Sequence, residues 1–579
     1  TEFKQRFSDK ALWTLILPLI VEQFLGTLMG IADTVMVSSQ GDAAVSGVSL
    51  VDMIFVLFFN IFSALATGGA VVASRAIGEE NHEKARRSAS CLLVICLAAS
   101  LGLMAIVYIF DTRLLRLLFG SIENDVMSAA EIYMHTTLVS FPMVALYSAA
   151  AALFRAEGNS KISMITQTAV NVFNIAGNAL FIFVFKWGVF GAALATLLGR
   201  ALSCVYLLVK LADKKNTIFV DYRRLFAGER GLYKNILSIG LPGSLESGTF
   251  QLGRILVLSI ISTFGTAQIT ANAVANNIDS FGVMVGFAFS FAIVTVVGQC
   301  VGAGDRSAVK YYTSKLLRLS ILSEAVFNVI LFACLPLLLS LYKVTPESRS
   351  LAVILICIHN ICAVVLWTHS FVLPGAKKAI GDAKFVMVTA VLSMFIFRVG
   401  MSYILGIKLG MGAIGVWISM IVDWIARITC FRTRWGAKMK DSIKHYIIYN
   451  KKKGGTHMKA YGKKAWLIPD TFLNSVSKNS GISHEAICVI NTSDVDAEIS
   501  LTLFFEDREA RTDFHSQCPA MKTHHIRMDK IRSDSGEPIP RDTPYAVLVE
   551  SNTPIVCQYS RLDTSAPEMA LMTTIAYSE

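Results

Sequence analysis

Long apolar stretches alternate with short polar connections over the first 435 or so residues of the chain. Leu92–Phe110 and Ala325–Tyr342 are typical, and each is close to the roughly 20 apolar residues that a helix needs to cross a bilayer. The pattern predicts an α-helical membrane protein with about twelve transmembrane spans, at residues 11–37, 48–73, 88–110, 129–154, 160–184, 188–210, 236–262, 272–300, 311–341, 349–374, 384–407 and 412–432.

The same six-helix pattern occurs twice, at a nearly constant offset along the chain. The segment Pro18-Leu-Ile-Val-Glu22 returns as Pro242-Gly-Ser-Leu-Glu246, with a glutamate at the same place in each copy. Many secondary transporters are built from repeats of apolar helices. The repeat predicts two parallel six-helix lobes, at residues 1–222 and 223–435.

Basic residues gather in the loops after even-numbered spans, for example Arg86 and Arg87 after the second and Lys214 and Lys215 after the sixth. Loops rich in Lys and Arg stay on the cytoplasmic side of a membrane. The pattern predicts a multi-pass protein of the bacterial cytoplasmic (inner) membrane, embedded in the lipid bilayer with both termini in the cytoplasm.

Composition narrows the class of protein further. A mean hydropathy of +0.55 excludes an average soluble domain. The net charge of +11 belongs to the membrane part, because the residues from His457 on contain 12 Lys and Arg but 17 Asp and Glu. Basic membrane loops explain this charge without nucleic acid as a partner. The eleven Cys lack the spacing of a disulfide framework or a zinc site, and we expect neither an enzyme nor a cofactor.

The character of the chain changes after Arg434. Alternating apolar residues in Glu498–Glu506 predict a strand, and similar runs with turn signals between them predict an all-β sandwich domain at residues 458–579. The linker, residues 436–457, leads into Gly454-Gly-Thr-His-Met458, which looks like a cloning scar followed by a start Met. We interpret the β domain as an engineered fusion.

Four acids stand out within the apolar spans: Glu22, Asp33, Glu246 and Asp423. A charge at such a place is costly and is usually functional or paired. Glu22 and Asp33 are eleven residues apart, so their carboxylates share one helix face about 16 Å apart and can line one cavity without binding one ion together. Asp423 is either a further cavity residue or the partner of Arg427, one turn on.

Pro18 and Pro242 each precede a glutamate by about one turn. Each proline removes a backbone hydrogen bond, so we expect a helix bend that exposes carbonyl groups to a cavity. Glu22 then either takes up a proton or cation or is neutralised by an internal hydrogen bond. Glu246 is expected to meet a cationic substrate, in a cavity that Gln23 and Phe250 also line.

Asn171, Asn174 and Asn178 follow one another at spacings of three and four residues, so they lie on one helix face. Three amides in an apolar helix indicate either the polar wall of a cavity with ion ligands or hydrogen bonds between helices. The sequence leaves both readings open, and we treat Asn171 as a cavity residue.

The membrane part resembles the bacterial multidrug and toxic compound extrusion (MATE) transporters. The matching stretches are Ile31-Ala-Asp33-Thr-Val-Met-Val, Leu153-Phe-Arg-Ala-Glu-Gly158-Asn and Ala271-Asn-Ala-Val-Ala-Asn-Asn277 with Gly298-Gln299. The resemblance implies two lobes around a central cavity and export of small amphipathic cationic drugs. Entry of protons or sodium ions would drive that export.

The resemblance also implies roles for single residues. Asp33 corresponds to a cation or proton site, with a sodium ion as its only metal, and Asn174 and Asn178 correspond to a site in the fifth helix. An acid found in some members one turn beyond Glu246 is absent near Phe250, so its role is assigned to Glu246. We therefore expect coupling to lie mainly in the first lobe.

The C-terminal part is similar to a sensory rhodopsin transducer. The matching stretches are Ile482–Cys488, Phe505–Glu509, Pro538–Thr543, Ser560–Asp563 and Thr574–Tyr577. The resemblance implies a compact β-sandwich that forms oligomers. We expect it to make the chain a homo-oligomer, either a tetramer or a dimer.

Two other functions compete with drug export. One is a flippase for lipids or lipid-linked precursors, which would need a basic cavity, whereas the interior charges of this sequence read as mostly acidic. The other is a natural membrane sensor with the β domain as its output.

Overall fold

A computed structural model describes residues 6–119, 123–226, 228–342, 344–453, 461–478, 482–565 and 570–577. The chain forms two compact units, Thr1–Lys444 and His445–Glu579. The predicted junction Gly454–Met458 lies outside the described residues.

The first unit is helical. Its α-helices are α1 (Asp9–Ser38), α2 (Asp42–Gly78), α3 (His82–Phe119), α4 (Asn124–Leu138), α5 (Phe141–Glu157), α6 (Lys161–Asn178), α7 (Gly188–Leu211), α8 (Arg230–Ile261), α9 (Thr266–Gly282), α10 (Met284–Gly302), α11 (Arg306–Ser340), α12 (Pro346–Trp367), α13 (Leu373–Ala379), α14 (Ala383–Ser393) and α15 (Gly412–Lys453). Single 3₁₀ turns occur at Tyr222–Arg224 and Ser262–Phe264. The π-helical segments are Ala179–Val184, Thr368–Val372, Met394–Gly400 and Ser402–Lys408.

The predicted membrane fold is confirmed. Within the described ranges, eleven helices are long and apolar enough to cross a membrane, or up to twelve when the bent pair α4–α5 counts as one span. That pair is bent by 51° in the middle of the predicted span 129–154. Pro142 explains the break, because a proline without an N–H group is tolerated at the start of a helix and not in its interior.

Helix starts follow the sequence. The side chains of Ser8, Asp305 and Thr345 accept hydrogen bonds from the first-turn N–H groups of α1, α11 and α12. By contrast, Pro18 and Pro242 lie inside α1 and α8, and neither proline ends its helix.

The two lobes contact each other through residues that the repeat relates. Arg75 Nε and Nη2 donate to the carbonyl of Ala379 at 3.0 and 2.8 Å, and Gln299 Nε2 donates to the carbonyl of Ala156 at 2.9 Å. Arg75 and Gln299 occupy equivalent positions in the two copies of the repeat. We call this reciprocal contact the latch, defined by Arg75, Gly78, Gln299 and Gly302.

The two latch glycines allow the backbones to meet. A Cβ atom at Gly78 would overlap the carbonyl of Gln299, and one at Gly302 would overlap the carbonyl of Arg75. Glycine is needed at both positions so that the two backbones can approach each other closely. The latch therefore closes the lobes together at the end of the unit that carries the basic loops.

The second unit is an antiparallel β structure, which confirms the all-β prediction. Its strands are β1 (Lys463–Phe472), β2 (His484–Asn491), β3 (Ala497–Phe505), β4 (Arg511–Cys518), β5 (Lys522–Arg527), β6 (Pro544–Asp563) and β7 (Ala570–Ile575). The strand order is β4-β3-β6-β2-β5, with β1 and β7 also paired to β6. The first half of β6 pairs with β1 and β3 and its second half with β2 and β7, so this strand joins two sheets.

Glu485 is a buried acid of the β unit, with 1% of its surface exposed. Its carboxylate accepts hydrogen bonds from Phe472 N and Tyr545 Oη, both at 2.7 Å, and from Tyr559 Oη. Burial is the largest cause that raises the pKa of Tyr545 well above its usual value, and the charge of Glu485 adds to it. The pKa of Tyr559 is raised for the same reasons.

Candidate functional site

Asp33 and two of the three predicted asparagines come together between α1 and α6. Asn178 Nδ2 donates to Asp33 Oδ1 at 2.7 Å and also lies 3.0 Å from Asn174 Oδ1. Asn174 Nδ2 in turn donates to Thr196 Oγ1 of α7 at 3.3 Å. Both asparagines are buried, whereas Asp33 is half-buried. A π-helical segment begins directly after Asn178, a feature that is frequent at functional sites.

Asp52 and Arg200 complete this site, which we call the N-lobe polar site (Asp33, Asp52, Asn174, Asn178 and Arg200). Both residues act electrostatically on Asp33, the first as a like charge and the second as an opposite charge. Asp52 also accepts a hydrogen bond from Tyr133 Oη at 3.4 Å. Sequence reasoning missed both residues, although each is a charge inside a predicted apolar span.

Asn171 lies on the same face of α6 but has a different role. Its Nδ2 donates to the carbonyl of Leu25 at 2.6 Å, and its Oδ1 accepts from Gln167 at 3.0 Å. The bond to Leu25 joins α6 to α1, as the helix–helix interpretation of Asn171 predicts.

Glu22 is buried and paired. Arg155 Nη1 lies 3.5 Å from Glu22 Oε1, and Ser163 Oγ donates to Glu22 Oε2 at 2.7 Å. Arg155 belongs to the end of α5 and also covers the ring of Phe291 at 4.5 Å. The carboxylate therefore has a permanent opposite charge, which the sequence could not reveal. Gln23, its neighbour, is half-buried.

Glu246 has the equivalent partner in the second lobe. Lys378 Nζ lies 2.8 Å from Glu246 Oε2. Lys378 and Arg155 occupy equivalent positions in the two copies of the repeat. The basic partner is therefore repeated along with the acid. The structure places Glu246 opposite a lysine.

Asp423 is fully buried, which corrects its prediction as a cavity residue. Arg427 Nε lies 2.9 Å from its carboxylate and Arg398 Nη1 lies 3.8 Å from it, and Ser393 also donates to it. The alternative interpretation, a pair with Arg427, is the one that the structure supports. Phe250 lies against both arginines, at 5.4 Å from Arg398 and 5.6 Å from Arg427.

Within the predicted spans of the second lobe, sequence reasoning missed two further buried acids. Asp279 of α9 pairs with His359 of α12. Glu324 of α11 accepts a hydrogen bond from Thr368 Oγ1 at 2.8 Å. A search of every predicted span for acidic residues would have found both, since they lie within 272–300 and 311–341.

The expectation that the interior is mostly acidic is wrong. Arginines lie beside the buried or half-buried acids of both lobes, namely Arg155, Arg200, Arg398 and Arg427. In the described ranges, no group of three or more His, Cys, Asp or Glu side chains is arranged to hold a metal ion.

Comparison with known proteins matches both units to families. The MatE family model matches residues 18–180 and 242–404, and the Anabaena sensory rhodopsin transducer family model matches residues 461–578. The chain is 26% identical over 434 residues to the uncharacterized transporter YisQ of Bacillus subtilis, covering 74% of this chain and 94% of that protein. It is also 26% identical over 427 residues to the probable multidrug resistance protein NorM of Thermotoga maritima, covering 72% and 90%.

Solved structures have the same fold. One is an outward-facing multidrug resistance MATE family transporter of the MOP superfamily, with a TM-score of 0.68 and 21% sequence identity. The match covers 75% of this chain and 96% of that one.

Proposed function

Because the chain belongs to the MatE family of multidrug efflux transporters, we propose that it is a secondary active exporter that antiports amphipathic organic cations against protons or sodium ions. The observation that carries the proposal is the N-lobe polar site. There a half-buried carboxylate, Asp33, is held by an amide at 2.7 Å inside a lobe of membrane-spanning helices. Such a carboxylate can be neutralised by a proton or by a cation, and that choice is the basis of antiport.

Asp33 suits coupling better than the repeated glutamates do. Glu22 and Glu246 each face a basic side chain, at 3.5 and 2.8 Å, so their charges are already compensated. Asp33 has an amide donor instead and a second carboxylate, Asp52, in electrostatic range. Two carboxylates beside one arginine, Arg200, leave a net negative charge for an incoming cation.

The latch supports alternating access. It joins the lobes at the end with the basic loops, which by the positive-inside bias is the cytoplasmic end. In this arrangement the N-lobe polar site would load its ion from the outside. Release of the Arg75 and Gln299 hydrogen bonds would then open the opposite path.

We further propose that the protein resides in the bacterial cytoplasmic membrane with both termini inside. The β unit would take no part in transport and would assemble the chain into a homo-oligomer. The separate family match over 461–578 and the scar-like junction support a module added to a transporter.

The test is transport of ethidium in proteoliposomes under an imposed sodium gradient or an imposed pH gradient. The proposal predicts that one of the two gradients drives ethidium against its own concentration difference. Liposomes without protein give the leak rate. Transport that neither gradient drives would exclude cation antiport.

A further inference from the structure

Three arginines lie inside the second lobe, and they differ in how well they are compensated. Arg427 lies 2.9 Å from Asp423 and is satisfied. Arg398 lies 3.8 Å from the same carboxylate, and its Nε is buried without a hydrogen-bond acceptor among the described residues. Arg254 forms no hydrogen bond or ion pair within the described ranges, where Asp279 is the acid that acts on it electrostatically.

Arg254 is exposed. The pattern of exposed residues along α8 indicates what its side chain faces. Leu245, Leu252 and Leu256 occupy one face of α8 and are 54%, 46% and 45% exposed, as expected of a face toward lipid. At 100° per residue, Arg254 and Phe250 lie on the opposite face. A guanidinium facing hydrocarbon would be costly, so its exposure is to a polar space within the protein.

Aromatic rings border this space. The ring of Phe250 lies 5.4 Å from the Arg398 guanidinium and 5.8 Å from the ring of Phe371. Trp367 stacks on Phe371 with 4.8 Å between ring centroids. A flat aromatic ligand could extend this stack while its polar end reached the arginines.

The charges of this space do not cancel. Asp423 is shared between Arg427 and Arg398, and Asp279 already pairs with His359. Arg254, Arg398 and Arg427 thus face two carboxylates, Asp423 and Asp279, and with His359 counted as neutral they keep about one uncompensated positive charge. The first lobe has the opposite balance, because two carboxylates, Asp33 and Asp52, face the single arginine Arg200.

We propose that Arg254 and Arg398 form an anion subsite that binds the carboxylate of an aromatic substrate. The inference rests on the exporter function proposed above and assigns the carboxylate end of such a substrate to the second lobe. Two guanidinium groups match the two oxygens of a carboxylate, and a single negative charge matches the uncompensated charge. A doubly charged phosphate would leave one charge buried without a partner.

The experiment is calorimetric titration of the purified full-length protein with 2-naphthoate. Its neutral amide, naphthalene-2-carboxamide, and 1-naphthyl phosphate serve as comparison probes. We expect 2-naphthoate to bind more tightly than the amide, and Arg254→Gln to weaken 2-naphthoate about tenfold or more while leaving the amide unchanged. Arg230→Gln, on an exposed arginine at the start of α8, should behave as the unsubstituted protein.

Several outcomes would overturn the proposal. Equal affinity of the unsubstituted protein and Arg254→Gln for 2-naphthoate would remove the subsite, and so would equal affinity for acid and amide. Tighter binding of the naphthyl phosphate would replace the carboxylate with a phosphate ligand. If Arg254→Gln fails to fold, Arg254→Lys is titrated instead, because it keeps the positive charge and replaces the planar guanidinium with an ammonium group. Binding needs no ion gradient, so a failure of antiport with Arg254-dependent binding intact would count against the proposed function alone.

Discussion

At the scale of single residues, the structure separates the membrane carboxylates into two kinds. Glu22 and Glu246 each have a basic partner, Arg155 and Lys378, at positions that the repeat relates. Asp33 has an amide donor and a neighbouring acid instead. A buried charge with a partner is structural by default, whereas one without a full counter-charge can respond to an ion.

The Glu22–Arg155 pair gives a stability prediction. Arg155→Gln leaves the Glu22 carboxylate buried without its counter-charge, so we expect a loss of about 3–5 kcal/mol in the free energy of unfolding. Glu22→Gln in the same chain should recover most of this loss. Thermal unfolding in detergent measures both, with Arg306→Gln on an exposed arginine as the control. An Arg155→Gln protein as stable as the unsubstituted one would contradict the pairing.

The Glu485 network gives a pH prediction. Unfolded tyrosines ionise near pH 10, whereas burial raises the pKa of Tyr545 and Tyr559 in the folded β unit. Their contribution to stability is therefore present below about pH 10 and is lost as the pH rises toward the folded pKa values. Tyrosinate absorbance should show that Tyr545 and Tyr559 ionise only as the β unit unfolds.

Single-residue variants assign these absorbance changes. Tyr545→Phe and Tyr559→Phe should each reduce the absorbance change that accompanies unfolding of the β unit. Ionisation of Tyr545 near pH 10 in the folded protein would contradict the network.

At the scale of elements, the hydrophobic pattern predicted most of the helices, and the repeat predicted the lobes. The hydrophobic pattern did not predict the break between α4 and α5, because one long apolar run covers both helices. The partners of Glu22 and Glu246 were also out of reach. Arg155 and Lys378 lie more than a hundred residues from their acids, and periodicity carries no information about such contacts.

The latch between α2 and α10 can be opened by substitution. Arg75→Ala together with Gln299→Ala removes the hydrogen bonds to Ala379 and Ala156, so the closed state loses about 1–3 kcal/mol. Cys300 is fully buried beside Gln299. Its labelling by N-ethylmaleimide, followed by peptide mass spectrometry, should increase several-fold.

The exposed Cys334 and Cys430 act as internal references for that labelling. Lys84→Ala is the matched control, because Lys84 pairs with Glu79 inside one lobe. Unchanged labelling of Cys300 in the double variant would show that these contacts do not hold the lobes together.

At the scale of the whole molecule, the chain combines a MatE transporter with a β unit that matches a different family. Deletion of residues 458–579 should leave gradient-driven ethidium transport unchanged and lower the oligomeric mass in light scattering. Loss of transport would favour the sensor hypothesis. An unchanged mass would exclude assembly through the β unit.

The two lobes share a backbone repeat but differ in charge, and only part of this was visible in the sequence. Asp33, Asn174 and Asn178 could be predicted because they are polar residues at helical spacing. The compensating arginines, such as Arg200 and Arg398, were not predicted, because the sequence does not show which acid each arginine faces in the fold.

The most direct test of coupling through Asp33 is ethidium transport in proteoliposomes under imposed sodium and pH gradients, compared between Asp33→Asn and the unsubstituted protein. Asp42→Asn, at an exposed acid at the start of α2, is the control. We predict that the gradient which drives transport in the unsubstituted and Asp42→Asn proteins drives none in Asp33→Asn. Gradient-driven transport by Asp33→Asn at the unsubstituted rate would contradict the central role of Asp33.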